Sequence, residues 1–397
     1  MTKKIRFIDD VPVRQKHVLL RVDFNVSMLD RWTVSDDARI RQSLPTLELL
    51  LKNKNRVVIV THFDRPKKRD PKFSLKPICN HLQEFFPTYK VVLINDFLQE
   101  SDKKKVHDQK LNEIVVLENI RFYPGEKAKR VEFSKKLAEL ADVYVNDAFG
   151  VSHRADASIV TVPTLLPSYG GLLMKKEIQM MDKITKNPKK PICVIIGGAK
   201  MSTKINFIKR LIDIADNIIV GGGIANTFLK AQGINVAESL YDYDEVERAR
   251  RLLYRARTKG TKIVVPDDVV LGHRENTKDR GVVKKVEDIE DNDGAILDIG
   301  PESQAKYGSI IAAARTIVWS GPVGYFENPT FRQGTDFIYY AITNNEKATT
   351  IVGGGDTLAA ISKKEYLEKI THLSTGGGAM LEFIEKGTLP GIEALKK

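Results

Sequence analysis

The sequence predicts an α/β protein built as two doubly wound parallel-sheet domains, and three observations carry that prediction. Short runs rich in Val, Ile and Leu recur along the chain with helix-compatible stretches between them, the pattern of a parallel sheet covered by helices. The runs of the first half close on charged and amide side chains, whereas most runs of the second half close on glycine. The length of 397 residues suits two domains or three at about 150 residues each, every one large enough to bury a real core.

In the first half the predicted strands are Val18 to Phe24, Val57 to Thr61, Val91 to Ile94, Ile114 to Leu117 and Val143 to Val145. Asp23 and Asn25 come at the end of the first and His62 and Arg65 follow the second; Glu118, Asn119 and Arg121 follow the fourth, and Asn146 and Asp147 the fifth, with His153 and Arg154 a little beyond. In the second half the runs are Ile192 to Ile196, Ile218 to Val220, Ile263 to Val265, Ile296 to Ile299, Ile317 to Trp319 and Thr350 to Val352. Gly197-Gly198-Ala199-Lys200, Gly221-Gly222-Gly223, Gly321-Pro322-Val323-Gly324 and Gly353-Gly354-Gly355-Asp356 each read as opening a helix, and Gly376-Gly377-Gly378 forms a fifth cluster. Between the halves, Leu172 to Ile184 is helix-compatible and bounded by Pro167 to Gly171 and by Asn187-Pro188, which places the connection between domains there. The expected division is 1–168, a connecting helix or hinge over 169–186, a second domain over 187–376 and a terminal segment over 377–397.

Composition removes other classes. Apolar residues make up 42% and charged residues 29%, which does not suit a disordered or low-complexity chain. The net charge of +12 favours anionic ligands, but spread over this length it does not indicate nucleic acid. Cys79 and Cys193 are far apart, with no CxxC pair, and no signal-like segment opens the chain, so a reducing cytoplasm is expected. The most apolar stretch, Ile159 to Met174, is broken by Pro163, Pro167, Gly170 and Gly171 and falls short of the roughly 20 uninterrupted residues of a membrane span.

In open parallel sheets ligands bind beyond the carboxyl ends of the strands, so the residues at those ends name the ligands. A glycine-rich turn at a helix start lets backbone amides approach a phosphate closely. One such turn is equally a plain tight turn; four or five at successive strand ends in one half are hard to explain as turns alone. Neither G-x-x-x-x-G-K-[ST] nor G-x-G-x-x-G after a strand occurs, which sets aside the P-loop and the standard dinucleotide fingerprint. Lys200 and Lys204 stand one helical turn apart, a pair that by itself reads as a solvated helix face, and Asp356 follows three glycines where a carboxylate would hold Mg²⁺. In the first half Arg39, His62, Arg65, Arg121 and Arg154 converge with Asp23 and Asn25. Any one of these arginines would ordinarily be a surface ion pair; together they suit a small phosphorylated acid. No second His or Cys sits at metal-ligand spacing from His62 or His153, and no nucleophile elbow is present.

A set of motifs in both halves resembles the phosphoglycerate kinase family: Arg21-Val22-Asp23-Phe24-Asn25-Val26, Glu118-Asn119-Ile120-Arg121-Phe122, Asn146-Asp147-Ala148-Phe149-Gly150 leading to His153-Arg154, Gly197-Gly198-Ala199-Lys200, Gly221 to Phe228, Gly353 to Thr357, and Ser374-Thr375-Gly376-Gly377-Gly378-Ala379. The resemblance spans nearly the whole chain. It implies two Rossmann-like domains joined by a hinge, the first binding 3-phosphoglycerate or 1,3-bisphosphoglycerate and the second binding ADP or ATP with Mg²⁺, with reversible in-line transfer between them after domain closure. Carried over by position, it puts Asp23, Asn25, Arg39, His62, Arg65, Arg121 and Arg154 on the phosphoglycerate, and Lys204, Glu327, Gly354, Gly355, Asp356 and Thr357 on the nucleotide. Glu327 resembles the ribose-binding acid, Asp356 lies on the metal side, and Arg39 and Lys200 match the cations that meet the phosphoryl group. The residues after Gly378 resemble a tail returning to the first domain, and a cytoplasmic monomer is implied.

The chemistry agrees with the residue inventory. A carboxylate acceptor, with an ordinary pKa near about 3.5, is ionised at neutral pH and needs no general base. Where the family has His-Leu-Gly-Arg, this chain has His62-Phe63-Asp64-Arg65, placing a carboxylate beside the anion site; it faces either the ligand or Lys67 and Lys68, and pairing with the lysines is the expectation. Ser27, Asp156 and Ser320 replace a usual proline, histidine and asparagine. A dinucleotide dehydrogenase is disfavoured by the missing fingerprint, and a non-catalytic anion-binding protein would not need an acid such as Asp356.

Overall fold

Alternating burial along each strand builds the first sheet. Val18 and Leu20 of β1 (His17–Arg21) enter the hydrophobic cluster on one face, with Val57, Ile59, Ile114, Val116, Val143 and Val145. Leu19 enters the cluster on the other face, with Val58, Val60, Val115, Leu117 and Tyr144. Both faces are therefore apolar, and the strands read as continuous hydrophobic runs. In the computed structural model, which describes residues 4–276 and 279–396, the chain separates into two units. One runs to Gln179 and takes in the segment from Thr388 onward; the other is Met180–Gly387. No helix among the described residues is long and apolar enough to cross a membrane.

The first unit also contains β2 (Ser27–Met28) and β3 (Val34–Asp36), which form a small antiparallel hairpin. Its six-stranded parallel sheet is completed by β4 (Arg56–Val60), β5 (Lys90–Ile94), β6 (Glu113–Leu117), β7 (Val143–Asn146) and β8 (Ser168–Gly170), in the order β5-β6-β4-β1-β7-β8. The chain winds outward from β1 through β4 and then returns to add β7 on the other side. Strand order thus reverses at β1, the topological switch at which ligands bind in such sheets.

The second unit has β9 (Ile192–Ile196), β10 (Asn217–Val220), β11 (Lys262–Val264), β15 (Thr316–Ser320), β16 (Thr349–Gly353) and β17 (His372–Ser374) in the order β11-β10-β9-β15-β16-β17. Here the switch lies between β9 and β15, which pair in parallel. A separate antiparallel sheet, β13-β12-β14, is made of β12 (Asp268–Gly272), β13 (Val282–Lys285) and β14 (Ala295–Ile299). The run Ile296 to Ile299, expected in the parallel sheet, is β14 of this other sheet; a short apolar run fits either kind of pairing.

The five glycine clusters do not all open helices. Those at Gly221, Gly353 and Gly376 lead directly into the helices Gly222–Ala231, Gly355–Ala360 and Gly378–Lys386. The Gly197 cluster leads into a turn that ends only at the helix Ile205–Leu211, and the Gly321 cluster leads into irregular chain before a short 3-10 turn at Pro329–Phe331. The helix Gly378–Lys386, within the segment expected to return to the first domain, belongs to the second unit. The segment from Thr388 joins the first unit: Gly391 donates its amide to the Ser152 carbonyl at 2.8 Å, and Leu395 is buried in the same cluster as Leu19.

Candidate functional site

The switch point of the first unit gathers a cluster of cations around one buried carboxylate. Asp23, just past β1, is 6% exposed; its Oδ2 accepts a hydrogen bond from Nη1 of Arg39 at 3.0 Å, and the same guanidinium donates to the Asn25 carbonyl at 3.1 Å. Arg39 comes from the first turn of the helix Ala38–Lys52, which follows the hairpin and so brings a residue distant in sequence onto the end of β1. His62, two residues past β4, is buried with Nδ1 at 3.7 Å from Oδ1 of Asp23, and that nitrogen has no hydrogen-bond partner. Burial first, then the charges of Arg21, Arg121, Arg154 and Arg39, hold its imidazole well below its ordinary range, so it is neutral at neutral pH.

Arg121 sits in the short 3-10 turn Ile120–Phe122 after β6, where the Asn119 side chain caps the Arg121 amide at 3.2 Å. Nη1 of Arg121 donates to the Asp64 carbonyl at 2.5 Å. Burial, with Arg154 and Arg21 nearby, brings its pKa down to about 10, which leaves it charged. Arg154 follows β7 and keeps its Nε buried without a hydrogen-bond partner. A buried guanidinium donor and a buried imidazole nitrogen without partners among the described residues are costly to the fold. Arg65 is exposed, and it is its backbone amide, rather than its side chain, that is tied into the loop.

Asp64 does not pair with Lys67 or Lys68, nor with any other cation among the described residues. Its Oδ1 accepts the Arg65 amide at 2.7 Å, while its own amide donates to Oδ1 of Asn25 at 2.7 Å. The expected lysine pair is replaced by a local turn bond, which a short carboxylate beside a left-handed backbone satisfies without ordering a long side chain.

Arg21 was not assigned a site role on sequence. At the end of β1 it is 1% exposed and donates to the Val22 carbonyl and, through Nε, to Oγ of Ser158 at 2.9 Å. Ser158 in turn donates to the buried Glu126 at 2.6 Å. Arg21 adds positive potential at both His62 and Arg121. Arg21 lies within the strand itself, so in sequence it reads as one more strand residue, and its role comes only from the groups that fold around it.

The second unit carries a pocket of about 440 Å³. Its floor is backbone: Gly198, Ala199, Gly222 and Gly223 line it, and Gly222 and Gly223 open a helix of ten residues. A Cβ at Gly223 would fall on the Ala199 carbonyl, so only glycine lets the two turns meet. Asn226, on the first turns of that helix, also lines the pocket with its Oδ1 buried and unpartnered, and it too was missed on sequence. Leu297, Phe326 and Glu327 form another wall, and Asp356 stands at the edge.

Lys204 Nζ donates to the carbonyls of Gly197 at 2.7 Å and Ser320 at 3.0 Å, joining the ends of β9 and β15. Desolvation pulls its pKa down to about 8, partly countered by Asp356. Lys200 is exposed and forms no ion pair among the described residues; it is not on a helical face with Lys204, because both precede the helix Ile205–Leu211. Gly354 has φ 111°, a conformation that favours glycine, and leads to Gly355, where a Cβ would meet nothing within 4 Å. Thr357 is buried, accepting the Gly321 amide at 2.7 Å and donating to the Gly353 carbonyl at 2.9 Å, which ties the turn after β16 to the end of β15. Among the described residues no cluster of three or more acids, histidines or cysteines could hold a metal alone. A single exposed carboxylate at Asp356 fits Mg²⁺ carried chiefly by nucleotide phosphates.

A model of the family described as phosphoglycerate kinase matches residues 8–387. The chain is 44% identical over 394 residues to the phosphoglycerate kinase of Thermosipho africanus, covering 98% of this chain and 97% of that one. It is 41% identical over 396 residues to the cytosolic phosphoglycerate kinase 3 of Arabidopsis thaliana, covering 99% and 98%. The solved phosphoglycerate kinase of Coxiella burnetii superposes with a TM-score of 0.87 at 34% identity, covering 99% of each chain.

Proposed function

The chain belongs to the phosphoglycerate kinase family, which transfers a phosphoryl group reversibly between 1,3-bisphosphoglycerate and ADP to give 3-phosphoglycerate and ATP in glycolysis, and from that premise we propose how its residues divide the work. The first unit, up to the connecting helix, binds the phosphoglycerate through Asp23, Asn25, Arg39, His62, Arg65, Arg121 and Arg154. The second binds the nucleotide through Lys204, Glu327 and the Gly354-Gly355-Asp356-Thr357 turn. The observation that carries the reading is the convergence of Arg21, Arg39, Arg121 and Arg154 on the buried pair His62 and Asp23 at the first switch point, more positive charge than the one carboxylate offsets. A phosphate or carboxylate supplies the negative charge that such a cluster lacks.

The acceptor carboxylate attacks already ionised, so the protein's task is alignment and charge neutralisation. Arg39 orients the carboxylate end of the substrate from its hold on Asp23 and Asn25. Lys200, exposed and free of ion pairs among the described residues, supplies the charge that meets the phosphoryl group as it passes. Asp356 would hold Mg²⁺, which when bound neutralises the nucleotide phosphates. Donor and acceptor reach reacting distance by closure of the hinge, which also excludes water. A cytoplasmic monomer completes the reading, its location supported by likeness to a cytosolic relative.

Calorimetric titration of Arg121→Ala and Arg154→Ala tests the division. Each should weaken 3-phosphoglycerate by about 1.5–3 kcal/mol, the worth of a charge-assisted hydrogen bond, and leave ADP unchanged. Equal losses for ADP would reverse the two assignments.

A further inference from the structure

The helix Val246–Lys259 carries Arg248, Arg251 and Arg255 at spacings of three and four, so all three lie on one face. Across from them are Asn206 and Lys209 of the helix Ile205–Leu211 and Ser202 of the turn before it. Together they line a pocket of about 570 Å³ that shares no residue with the nucleotide pocket. Its lining holds four cations and no carboxylate.

Two of the four have partners outside the lining. Nη2 of Arg255 donates to Asp213 at 2.7 and 2.9 Å, and Nη1 of Arg248 donates to Glu245 at 3.1 Å. Lys209 and Arg251 are exposed and form no ion pair among the described residues. Nε of Arg255 is buried with no hydrogen-bond partner. The walls are pinned at both ends, by Asp213 to Arg255 and by the Ser202 amide donating to Oδ2 of Asp242 at 2.8 Å. Two uncompensated cations on pinned walls, with no carboxylate in the lining, leave an excess of positive charge that an anion in the pocket offsets.

We propose that this pocket is a second anion-binding site, taking a small polyanion that bears two or more phosphate or sulfate groups. The seven helical steps from Arg248 to Arg255 span about 10 Å of helix, longer than one tetrahedral oxyanion.

The test is calorimetric titration of the full chain with inorganic tripolyphosphate while ADP and 3-phosphoglycerate are both saturating. Those two are both phosphoryl acceptors, so the substrate sites are filled and no transfer occurs. One equivalent of tripolyphosphate should bind, more weakly as salt rises. Inorganic phosphate should bind at least about tenfold more weakly, two charged contacts being lost. Lys209→Gln with Arg251→Gln should weaken tripolyphosphate at least about tenfold, for the same reason. Unchanged ADP affinity in that double variant establishes that it is folded. Absence of binding, unchanged binding by the double variant, or equal affinity for inorganic phosphate would each overturn the proposal, as would binding of a short RNA through Lys209 and Arg251 without binding of tripolyphosphate.

Discussion

Asp64 adopts φ 54°, in the left-handed region that costs most side chains about 1–2 kcal/mol and that aspartate tolerates through a local hydrogen bond. Its Oδ1 supplies that bond to the Arg65 amide. Asp64→Gly relieves the strain but adds about 0.5–1 kcal/mol of chain entropy and loses the bond, so urea unfolding should move little. Asp64→Ala keeps the strain without the bond and should cost about 1–2 kcal/mol. Because the carboxylate is exposed and turned onto the loop, KM for 3-phosphoglycerate in the glycine variant should stay within about twofold. A salt-dependent fall in KM would mean that the charge faces the ligand after all.

His62 makes a pH prediction at the same scale. Its pKa is depressed in the fold, so below its ordinary value near 6.5 the unfolded chain binds the proton that the folded chain refuses. Stability therefore falls as pH drops from about 6.5 toward the folded value. Between pH 7.5 and 5.5 the native chain should lose up to about 1.4 kcal/mol more than His62→Asn in denaturant titrations. Parallel curves for the two would show that the imidazole is not held neutral.

At the scale of elements, the turn from Gly197 to Lys204 separates two lysines that look equivalent in the sequence. Lys204 joins the ends of β9 and β15, so Lys204→Met should unfold at lower denaturant, with about 1.5–3 kcal/mol lost as two carbonyls give up a charged donor. Lys200 is exposed, so Lys200→Ala should keep its stability within about 0.5 kcal/mol. The same variant should lose at least about 10²-fold in kcat with ADP affinity within a few-fold, the mark of a charge acting in the transition state. A full kcat would take Lys200 out of the mechanism. Sequence could not separate the two because an i, i+4 spacing implies a shared face only inside a helix, and Lys204 stands just before one.

The same limit explains what else was legible. Runs such as Val57 to Thr61 and Ile192 to Ile196 are apolar on both faces and could be little but central parallel strands. Ser168–Gly170 and His372–Ser374 are edge strands of three residues, too short and too polar to announce themselves. The arginines and Asp23 could be read because charge at a strand end is rare. Asn226 and Arg21 could not, since an amide in a helix and a cation in a strand acquire meaning only from what surrounds them when folded.

At the scale of the whole molecule, each unit closes its own core and carries its own candidate site, and the chain returns to the first unit at Thr388. The transferred group passes directly from one ligand to the other, which requires reacting atoms about 3–3.5 Å apart. On the proposed division, with the acceptor among the arginines of the first unit and the nucleotide on the glycine turns of the second, neither ligand alone would span both, and only the pair would stabilise a closed arrangement. A ligand shifts such an equilibrium only by its differential affinity for the closed state, so single ligands should produce little compaction and both together should produce more than the sum. Small-angle X-ray scattering with ADP alone, 3-phosphoglycerate alone and the two together measures this directly. The radius of gyration should be smallest with both, and Lys200→Ala, which removes the charge proposed to meet the transferring group, should reduce the difference without altering either single-ligand value. Equal radii in all three conditions would rule out closure as the step that brings donor and acceptor together.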